Sequence, residues 1–212
     1  MLTMTADQID SRHGDDLADD ALEILLGLGA DRYVLPPDRT AGDEVQALAR
    51  DGRAVLDAAL ALLRTGDWRV GIGIGRVRLP LPDVTRAVGG SAFVNARSGV
   101  EEARRHPYGC VVIADDARQT ATIQPLIDLL LYFRGRRTDP GWEMWDLMEG
   151  GLSQKDAAAR LGITPQAASR RALAAGVRLD SAARGALASL LDTADPDAAP
   201  VADSDGRGSG ED

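Results

Sequence analysis

The sequence contains very little cysteine and few aromatic side chains. Cys110 is the only cysteine among 212 residues, so no disulfide can form within the chain. Aromatic residues make up 4% of the composition, and the core must therefore be built mainly from Ala, Leu, Val and Ile. A small secreted domain held together by its own disulfides is excluded by the cysteine count.

Long hydrophobic runs are also missing. No apolar stretch approaches the roughly 18 to 20 residues that a membrane-spanning helix needs. The N-terminus has no basic segment followed by an apolar one, which is the pattern of a secretory signal. Together with the single cysteine, these absences predict a cytoplasmic protein without a membrane partner.

The charge of the chain is unevenly distributed. The net charge is −9, but residues 1–133 carry −6, residues 134–184 carry +3 and residues 185–212 carry −6. A basic segment inside an acidic chain indicates a nucleic-acid-binding module. The alternative is a chance excess of solvated basic side chains.

The periodicity of the apolar residues predicts the fold class and the domains. Strands and helices alternate through the first two thirds of the chain, with a hairpin turn at residues 40–44. This order indicates an α/β (α+β) sandwich with a ferredoxin-like sheet rather than an all-parallel sheet. The predicted division is an α/β domain at 1–134, a linker at 135–141, a helix-turn-helix domain at 142–193 and a disordered acidic tail at 194–212.

One predicted strand carries glycine at every second position. Gly71, Gly73 and Gly75 alternate with Ile72 and Ile74, so the glycines share one face of the strand. They do not open a helix and therefore do not form a phosphate-binding loop. A face without side chains indicates that a helix or a second subunit packs against the backbone there.

The segment from Leu152 to Val177 has the pattern of a helix-turn-helix. Ser153 and Thr164 are predicted to cap two successive helices, and Pro165 occupies the first position of the second one, where its missing N–H has no cost. Gly162 permits the tight turn between them. Alanines at 168, 172 and 175 share one face and permit close helix crossing.

The N-terminal half of the helix that begins at Pro165 is the part that such proteins place in the major groove of DNA. Gln and Arg side chains can contact base edges there, while Lys and a second Arg suit phosphates. The predicted DNA-binding residues are Lys155, Thr164, Pro165, Gln166, Ser169, Arg170 and Arg171. The alternative is a three-helix bundle that binds protein or packs on the first domain.

The run from Leu152 to Arg171 resembles the helix-turn-helix of sigma-factor region 4 and related regulators. The match is approximate at one position, because the family more often has Val or Ile where this chain has the smaller Ala168. The matching residues are Ala158, Leu161, Gly162, Ile163, Ala168, Ser169 and Arg171. The resemblance implies a DNA-binding role for this module.

Two carboxylates in the first domain form a second candidate site. Asp7 closes the first strand and Asp43 lies at the tip of the hairpin, and these two ends can meet in a ferredoxin-like sheet. Paired carboxylates can hold Mg²⁺ or Mn²⁺ through oxygen ligands. An ordinary acidic turn is the alternative.

Three short runs resemble a known family: Asp7-Gln-Ile-Asp-Ser-Arg12, Thr40-Ala-Gly-Asp-Glu44 and Ala92-Phe-Val-Asn-Ala-Arg97. They are similar to the bacterial SatD-like proteins and, more distantly, to the catalytic domain of class III nucleotide cyclases. The resemblance implies metal binding by Asp7 and Asp43 and a transition-state arginine at Arg97. The position one turn before that arginine, Asn in catalytic cyclases, is Phe93 here, which argues against catalysis.

The combined expectation is a DNA-binding transcriptional regulator. Its degenerate cyclase-like domain would form a homodimer and is a candidate for binding a metal or a nucleotide. The alternative is a metal-dependent nucleotidyl cyclase or nucleotide-processing enzyme with an ancillary helix-turn-helix. A third hypothesis is an adaptor in which both modules bind protein.

Overall fold

A computed structural model describes residues 1–11, 14–40 and 42–197 of the chain. It confirms the expected fold class at the level of an α+β fold with a five-stranded mixed sheet. The strands are β1 (Leu2–Gln8), β2 (Tyr33–Arg39), β3 (Glu44–Ala49), β4 (Trp68–Ile74) and β5 (Cys110–Ala114). The helices are α1 (Ala18–Gly27), α2 (Gly52–Thr65), α3 (Ser91–Ala103), α4 (Ala117–Gly135), α5 (Asp139–Glu149), α6 (Gln154–Arg160), α7 (Pro165–Ala174) and α8 (Val177–Ala194).

The strand order places β1 at the centre of the sheet. The order is β2-β3-β1-β4-β5. β1 pairs antiparallel with both β3 and β4, β2 pairs antiparallel with β3, and β5 is added parallel to β4. In this register Asp7 lies opposite Glu44 on one side and Arg69 on the other.

One face of the sheet carries the main hydrophobic core. Leu2 and Met4 of β1 and Ile72 of β4 are almost completely buried on this face. They pack with residues of α1, α2, α4 and α8 in a single cluster that is largely aliphatic. Alanine and branched aliphatic side chains therefore fill most of this core in place of aromatic residues.

Helix α3 covers the glycines on the opposite face of β4. A Cβ atom added to Gly71 would lie 2.0 Å from the carbonyl oxygen of Ala96, and one added to Gly73 would lie 2.0 Å from that of Ala92. The expectation that something packs directly on this glycine face is confirmed, and the partner is a helix of the same chain. β4 ends at Ile74, so Gly75 lies just beyond the strand.

The strands β1–β5 with helices α1–α4 form the sheet unit, and α5–α8 are the C-terminal helices. The connection between them is shorter than predicted. α4 continues to Gly135 and α5 begins at Asp139, with the Thr138 side chain accepting a hydrogen bond from the Gly141 N–H. Only residues 136–138 separate the two helices, and Arg137 among them is buried. The segment predicted as a linker, 135–141, therefore consists mainly of helix ends.

Helix α8 packs on the sheet unit as well as on the helix-turn-helix. Leu187 and Leu191 belong to the main core. A Cβ atom added to Gly52 would lie 2.2 Å from the Ala188 carbonyl oxygen, and the Gly52 N–H donates to Asp192 at 2.5 Å. The C-terminal half of α8 thus completes the helical layer of the sheet, although the sequence places it within the helix-turn-helix domain at 142–193.

The chain beyond α8 is only partly described. Asp195 and Asp197 form ion pairs with the amino group of Met1. Residues 198–212, most of the predicted acidic tail at 194–212, lie outside the described residues, as do Arg12 and Ala41 of the family-like runs. Within the described ranges, no helix is both long enough and apolar enough to cross a membrane.

Candidate functional site

The helix-turn-helix has the local geometry that its sequence predicts. The Ser153 hydroxyl accepts a hydrogen bond from the Asp156 N–H, and the Thr164 hydroxyl accepts one from the Ala167 N–H at 3.2 Å. These bonds satisfy N–H groups that would otherwise have no partner at the start of α6 and α7. Gly162, in the turn between them, has φ +64, a backbone conformation that favours glycine.

Helix α7 has one buried and one exposed face. Ala168 and Ala172 are buried against α5 and α6 in a second hydrophobic cluster. Gln166, Ser169 and Arg170 are exposed on the other side. Because side chains three and four positions apart are neighbours on a helix, these three form a continuous polar surface at the N-terminal half of α7.

The other residues predicted to contact DNA differ in whether their side chains already have a partner within the protein. Lys155 on α6 and Pro165 at the start of α7 are exposed, while the Thr164 oxygen serves as a helix cap. Arg171 is turned towards α5, where its Nη1 lies 3.3 Å from a Glu143 carboxylate oxygen. Arg171 therefore has a partner within the protein, which the sequence pattern did not indicate.

Much of the basic charge of residues 134–184 is internal. Arg134, Arg137 and Arg184 are buried, and so is Asp180. The remaining side chains of this segment comprise six basic and five acidic residues, a net charge of +1. The exposed basic residues of α6, α7 and the start of α8 are Lys155, Arg160, Arg170 and Arg178.

Asp180 is the centre of a buried ionic cluster. Its carboxylate accepts hydrogen bonds from Arg134 at 2.9 Å and from Arg137 at 3.0 Å, and it lies 2.9 Å from Nε of Arg184. The indole N–H of Trp145 lies 3.2 Å from the same carboxylate. One carboxylate of α8 thus ties α8 to α4, to the connection that follows α4, and to α5.

Aromatic rings complete this cluster. The guanidinium carbon of Arg137 lies 4.3 Å from the centre of the Trp142 ring, and that of Arg134 lies 5.0 Å from the rings of both Trp142 and Trp145. These distances suit cation–π attraction. The two tryptophans of α5 therefore pack against the buried arginines of the cluster.

Burial and neighbouring charges shift the pKa of both Arg134 and Asp180. Burial lowers the pKa of Arg134 to about 10, against the opposing effect of Asp180, so Arg134 remains cationic at neutral pH. Burial alone would raise the pKa of Asp180, but the charges and hydrogen bonds of Arg134, Arg137 and Arg184 outweigh it and lower the pKa below its ordinary value. Asp180 is therefore ionised at neutral pH.

Sequence reasoning missed this cluster. The only signal was the spacing of Asp180 and Arg184, four residues apart on a helix, which is the spacing of a stabilising ion pair. That spacing is common on solvated helix surfaces and does not reveal burial. The other partners come from positions 35 and more residues away in the sequence.

Asp7 and Asp43 line the same cleft at the end of β1, as their positions in the sequence predict. The cleft has a volume of about 600 Å³, and its lining also includes Asp10, Arg69 and Arg104. Nη2 of Arg104 donates to Asp7 at 3.0 Å. The carboxylate therefore has a cationic partner from the end of α3.

The residues of this cleft do not fit a pair of divalent metal ions. Within the described ranges there is no group of three or more His, Cys, Asp or Glu residues suited to holding a metal. Two guanidinium groups line the cleft, and a cation at Asp7 would have to displace Arg104 because both carry positive charge. The cleft therefore lacks the ligand set that a two-metal site for Mg²⁺ or Mn²⁺ would need.

Arg97 lies outside the lining of the Asp7–Asp43 cleft. Its Nη1 is 3.3 Å from a carboxylate oxygen of Glu44, and its Nε is 4.0 Å from Glu101. Glu44 is buried and also accepts hydrogen bonds from Thr40 at 2.9 Å and Gln46 at 3.0 Å. The predicted transition-state arginine is thus held in an ion-pair network.

The two residues near Arg97 on α3 have structural contacts. Phe93 packs with Leu48 and Val88 in a small hydrophobic cluster. Asn95 donates to the Ile74 carbonyl oxygen at 2.9 Å and to Asp115 at 2.8 Å. Ile74 is at the opposite end of β4 from Arg69, which lines the carboxylate cleft. Neither provides a polar group to the cleft.

Comparison with protein families, with characterised proteins and with solved structures finds no significant match to this chain.

Proposed function

We propose that the protein is a sequence-specific DNA-binding regulator of transcription and that α7 is its recognition helix. The observation that carries the proposal is the exposed surface of Gln166, Ser169 and Arg170 at the N-terminal half of α7. This helix is capped by Thr164 and follows the tight turn at Gly162. A recognition helix needs side chains that can donate to base edges and a neighbouring basic surface for phosphates. Lys155, Arg160 and Arg178 provide that basic surface.

The low net charge around the helix-turn-helix has a consequence for affinity, since residues 134–184 without their four buried charged side chains carry only +1. With few phosphate contacts from one module, binding by a single chain should be weak, and two modules on two half-sites roughly double the contacts. We therefore propose that the DNA-binding form is a homodimer.

The proposal is tested by binding full-length protein to mixed genomic DNA fragments at increasing salt. We expect affinity to fall steeply as the salt concentration rises, because counterions are released from the DNA phosphates, and we expect particular fragments to be enriched. The absence of binding even at low salt would favour the adaptor hypothesis, in which α7 contacts a protein.

Arg170→Ala should weaken binding to an enriched fragment by about 1–3 kcal/mol, the usual cost of losing a base-contacting arginine. Arg170 is exposed and forms no ion pair in the described part of the chain, so its removal should leave the fold intact. The measurement is a fluorescence anisotropy titration of the labelled fragment.

Two variants serve as controls. Arg118→Ala removes an exposed arginine at the start of α4, far along the sequence from the helix-turn-helix, and Asp7→Ala with Asp43→Ala alters the carboxylate cleft. Both should leave DNA affinity nearly unchanged. Arg170→Ala with the affinity of the parent protein would show that α7 is not the recognition helix.

We further propose that the sheet unit is a degenerate relative of the class III cyclase and SatD-like domains. The order β2-β3-β1-β4 with antiparallel neighbours supports this, since it is the order of a ferredoxin-like sheet. Arg104 on Asp7, Arg97 on Glu44 and the buried Phe93 all argue against cyclase chemistry. We therefore propose that the sheet unit forms the dimer contact and binds a ligand instead of catalysing a cyclase reaction.

The surface of α4 supports dimerisation. Leu126, Leu129 and Tyr132 recur at three-residue intervals along the helix and are 40%, 64% and 48% exposed. Apolar side chains grouped on one helix face indicate a protein–protein contact. We propose that this α4 surface contacts a second copy of the chain.

Leu129→Glu should convert the dimer into a monomer, because a carboxylate would be buried without a partner in the contact between two chains. The measurement is the molar mass by light scattering coupled to size-exclusion chromatography. Leu179→Glu, at an exposed leucine of α8, is the matched control and should leave the mass unchanged. An unchanged mass for Leu129→Glu would rule out this surface as the dimer contact.

A further inference from the structure

A cleft lies at the junction between the sheet unit and the C-terminal helices. It has a volume of about 690 Å³ and is walled by α1 and α2 on one side and by α4, α5 and α8 on the other. Its polar lining includes Arg32, Arg53, Asp57, Glu149 and Arg184. It is separate from the Asp7–Asp43 cleft, with which it shares no lining residue.

Positive charge exceeds negative charge around this cleft. Asp57 lies within 3.1 Å of guanidinium nitrogens from Arg32, Arg53 and Arg184. Glu149 is shared by Arg53 and Arg184.

Asp180, just behind the cleft wall, accepts from Arg134 and Arg137 as well as facing Arg184. The connected network thus contains five arginines and three carboxylates. Its net charge is +2.

Part of the excess positive charge lies on buried side chains, where solvent stabilises a charge least. The side chains of Arg184 and Arg134 are 4% and 7% exposed. A buried charge is costly unless an opposite charge and hydrogen bonds compensate it. An anion entering the cleft would supply the missing negative charge.

The arginines at the rim retain hydrogen-bond donors for such an anion. Arg32 uses only Nη1 to reach Asp57, and Arg53 uses Nε and Nη2 to reach Asp57 and Glu149. Within the described ranges, Nε and Nη2 of Arg32 and Nη1 of Arg53 have no hydrogen-bond partner. The side chains of Arg32 and Arg53 are 34% and 39% exposed, so these donors are accessible from solvent.

We propose that this junction cleft binds a small organic phosphate. A phosphate monoester carries close to two negative charges near neutral pH, which matches the net charge of +2. Guanidinium groups match phosphate oxygens in geometry as well as in charge. Trp145, Leu28 and Leu60, which also line the cleft, provide an apolar wall for the organic part of the ligand.

The position of the cleft gives the ligand a regulatory role. Its walls come from α2 of the sheet unit and from α5 and α8, which flank the helix-turn-helix, so a bound ligand would contact both parts. Control of DNA affinity by the ligand rests on the proposed function. Binding of the phosphate itself does not depend on it.

The test is isothermal titration calorimetry of full-length protein with phenyl phosphate, without DNA. We expect saturable binding with one site per chain, competition by inorganic phosphate, and no binding of benzyl alcohol, which has the ring but no charge. The double variant Arg32→Gln with Arg53→Gln should bind at least about tenfold more weakly, since each lost charged hydrogen bond is worth about that factor or more.

Matched variants show where the ligand is bound. Arg118→Gln and Arg170→Ala, with arginines outside the cleft, should bind phenyl phosphate as the parent does. Thermal denaturation of each variant shows that it is folded. No saturable binding to the parent protein, undiminished binding to the Arg32/Arg53 variant, or loss of binding in Arg170→Ala would overturn the proposal. Because DNA is absent from the titration, failure of the proposed DNA binding would leave this result unaffected.

Discussion

Asp180→Asn should lower the free energy of unfolding by about 3–5 kcal/mol, the usual cost of breaking a buried ion pair by removing one partner. The substitution keeps the size of the side chain but removes the only carboxylate that Arg134 and Arg137 contact as an ion pair within the described ranges. Three guanidinium groups would then remain buried with less compensation. Urea denaturation at neutral pH measures the loss.

The same carboxylate predicts a pH dependence. The pKa of Asp180 in the folded protein is lowered from the ordinary value of 3.8, so its ionised form stabilises the fold. This contribution is fully present above the unfolded-state pKa and is lost as the pH falls through the lower folded-state pKa. The difference in stability between the parent and Asp180→Asn should therefore diminish below about pH 4.

Asp67→Asn is the matched control. Asp67 is exposed and its carboxylate forms no ion pair in the described part of the chain, so its substitution should change stability by less than about 0.5 kcal/mol. If Asp180→Asn were as stable as Asp67→Asn at neutral pH, the buried cluster would not hold the C-terminal helices in place.

Gly73→Ala should destabilise the protein by about 3 kcal/mol, at the upper end of the usual cost of overpacking a core. The added Cβ would lie 2.0 Å from the Ala92 carbonyl oxygen and 2.4 Å from the Ala96 N. Both are backbone atoms, so the whole of α3 would have to move away from β4. Thermal and urea denaturation measure the effect.

Gly185→Ala is the control, since replacing this glycine should stabilise the protein instead of destabilising it. Gly185 lies within α8, and a Cβ atom added there would meet nothing within 4 Å. Alanine is favoured over glycine inside a helix by about 0.5–1 kcal/mol, so this variant should be more stable than the parent. Equal stability of the Gly73→Ala variant and the parent would contradict the close packing of α3 on β4.

Local patterns in the sequence were sufficient to predict most of the elements. The alternation of glycine and isoleucine in β4 predicted both the strand and the close packing on its glycine face. Ser153 and Thr164 predicted where α6 and α7 begin, because helix caps act through N–H groups only two or three residues away. Such features depend on neighbours in the chain and can be recognised without the fold.

The partners of charged side chains could not be predicted in this way. The sequence predicts that Arg97 and Arg171 face a ligand, but they lie against Glu44 and Glu143, which come from other elements. Asp7 and Asp43 do line one cleft, as expected, but Arg104 also reaches it from the end of α3. A charge that suits a ligand suits an internal ion pair equally well until the neighbouring elements are in place.

The sequence by itself determined the strand and helix pattern, the glycine face of β4 and the capped helices of the helix-turn-helix, because these arise from interactions between residues close along the chain. Only the tertiary structure decided that α8 completes the helical layer, that Asp180 is buried among three arginines and that a cleft with excess positive charge lies at the junction. These features bring together residues from α1, α2, α4, α5 and α8. The physical reason is that burial and net charge at a point in space depend on every element that meets there, whereas local sequence carries information about only one of them.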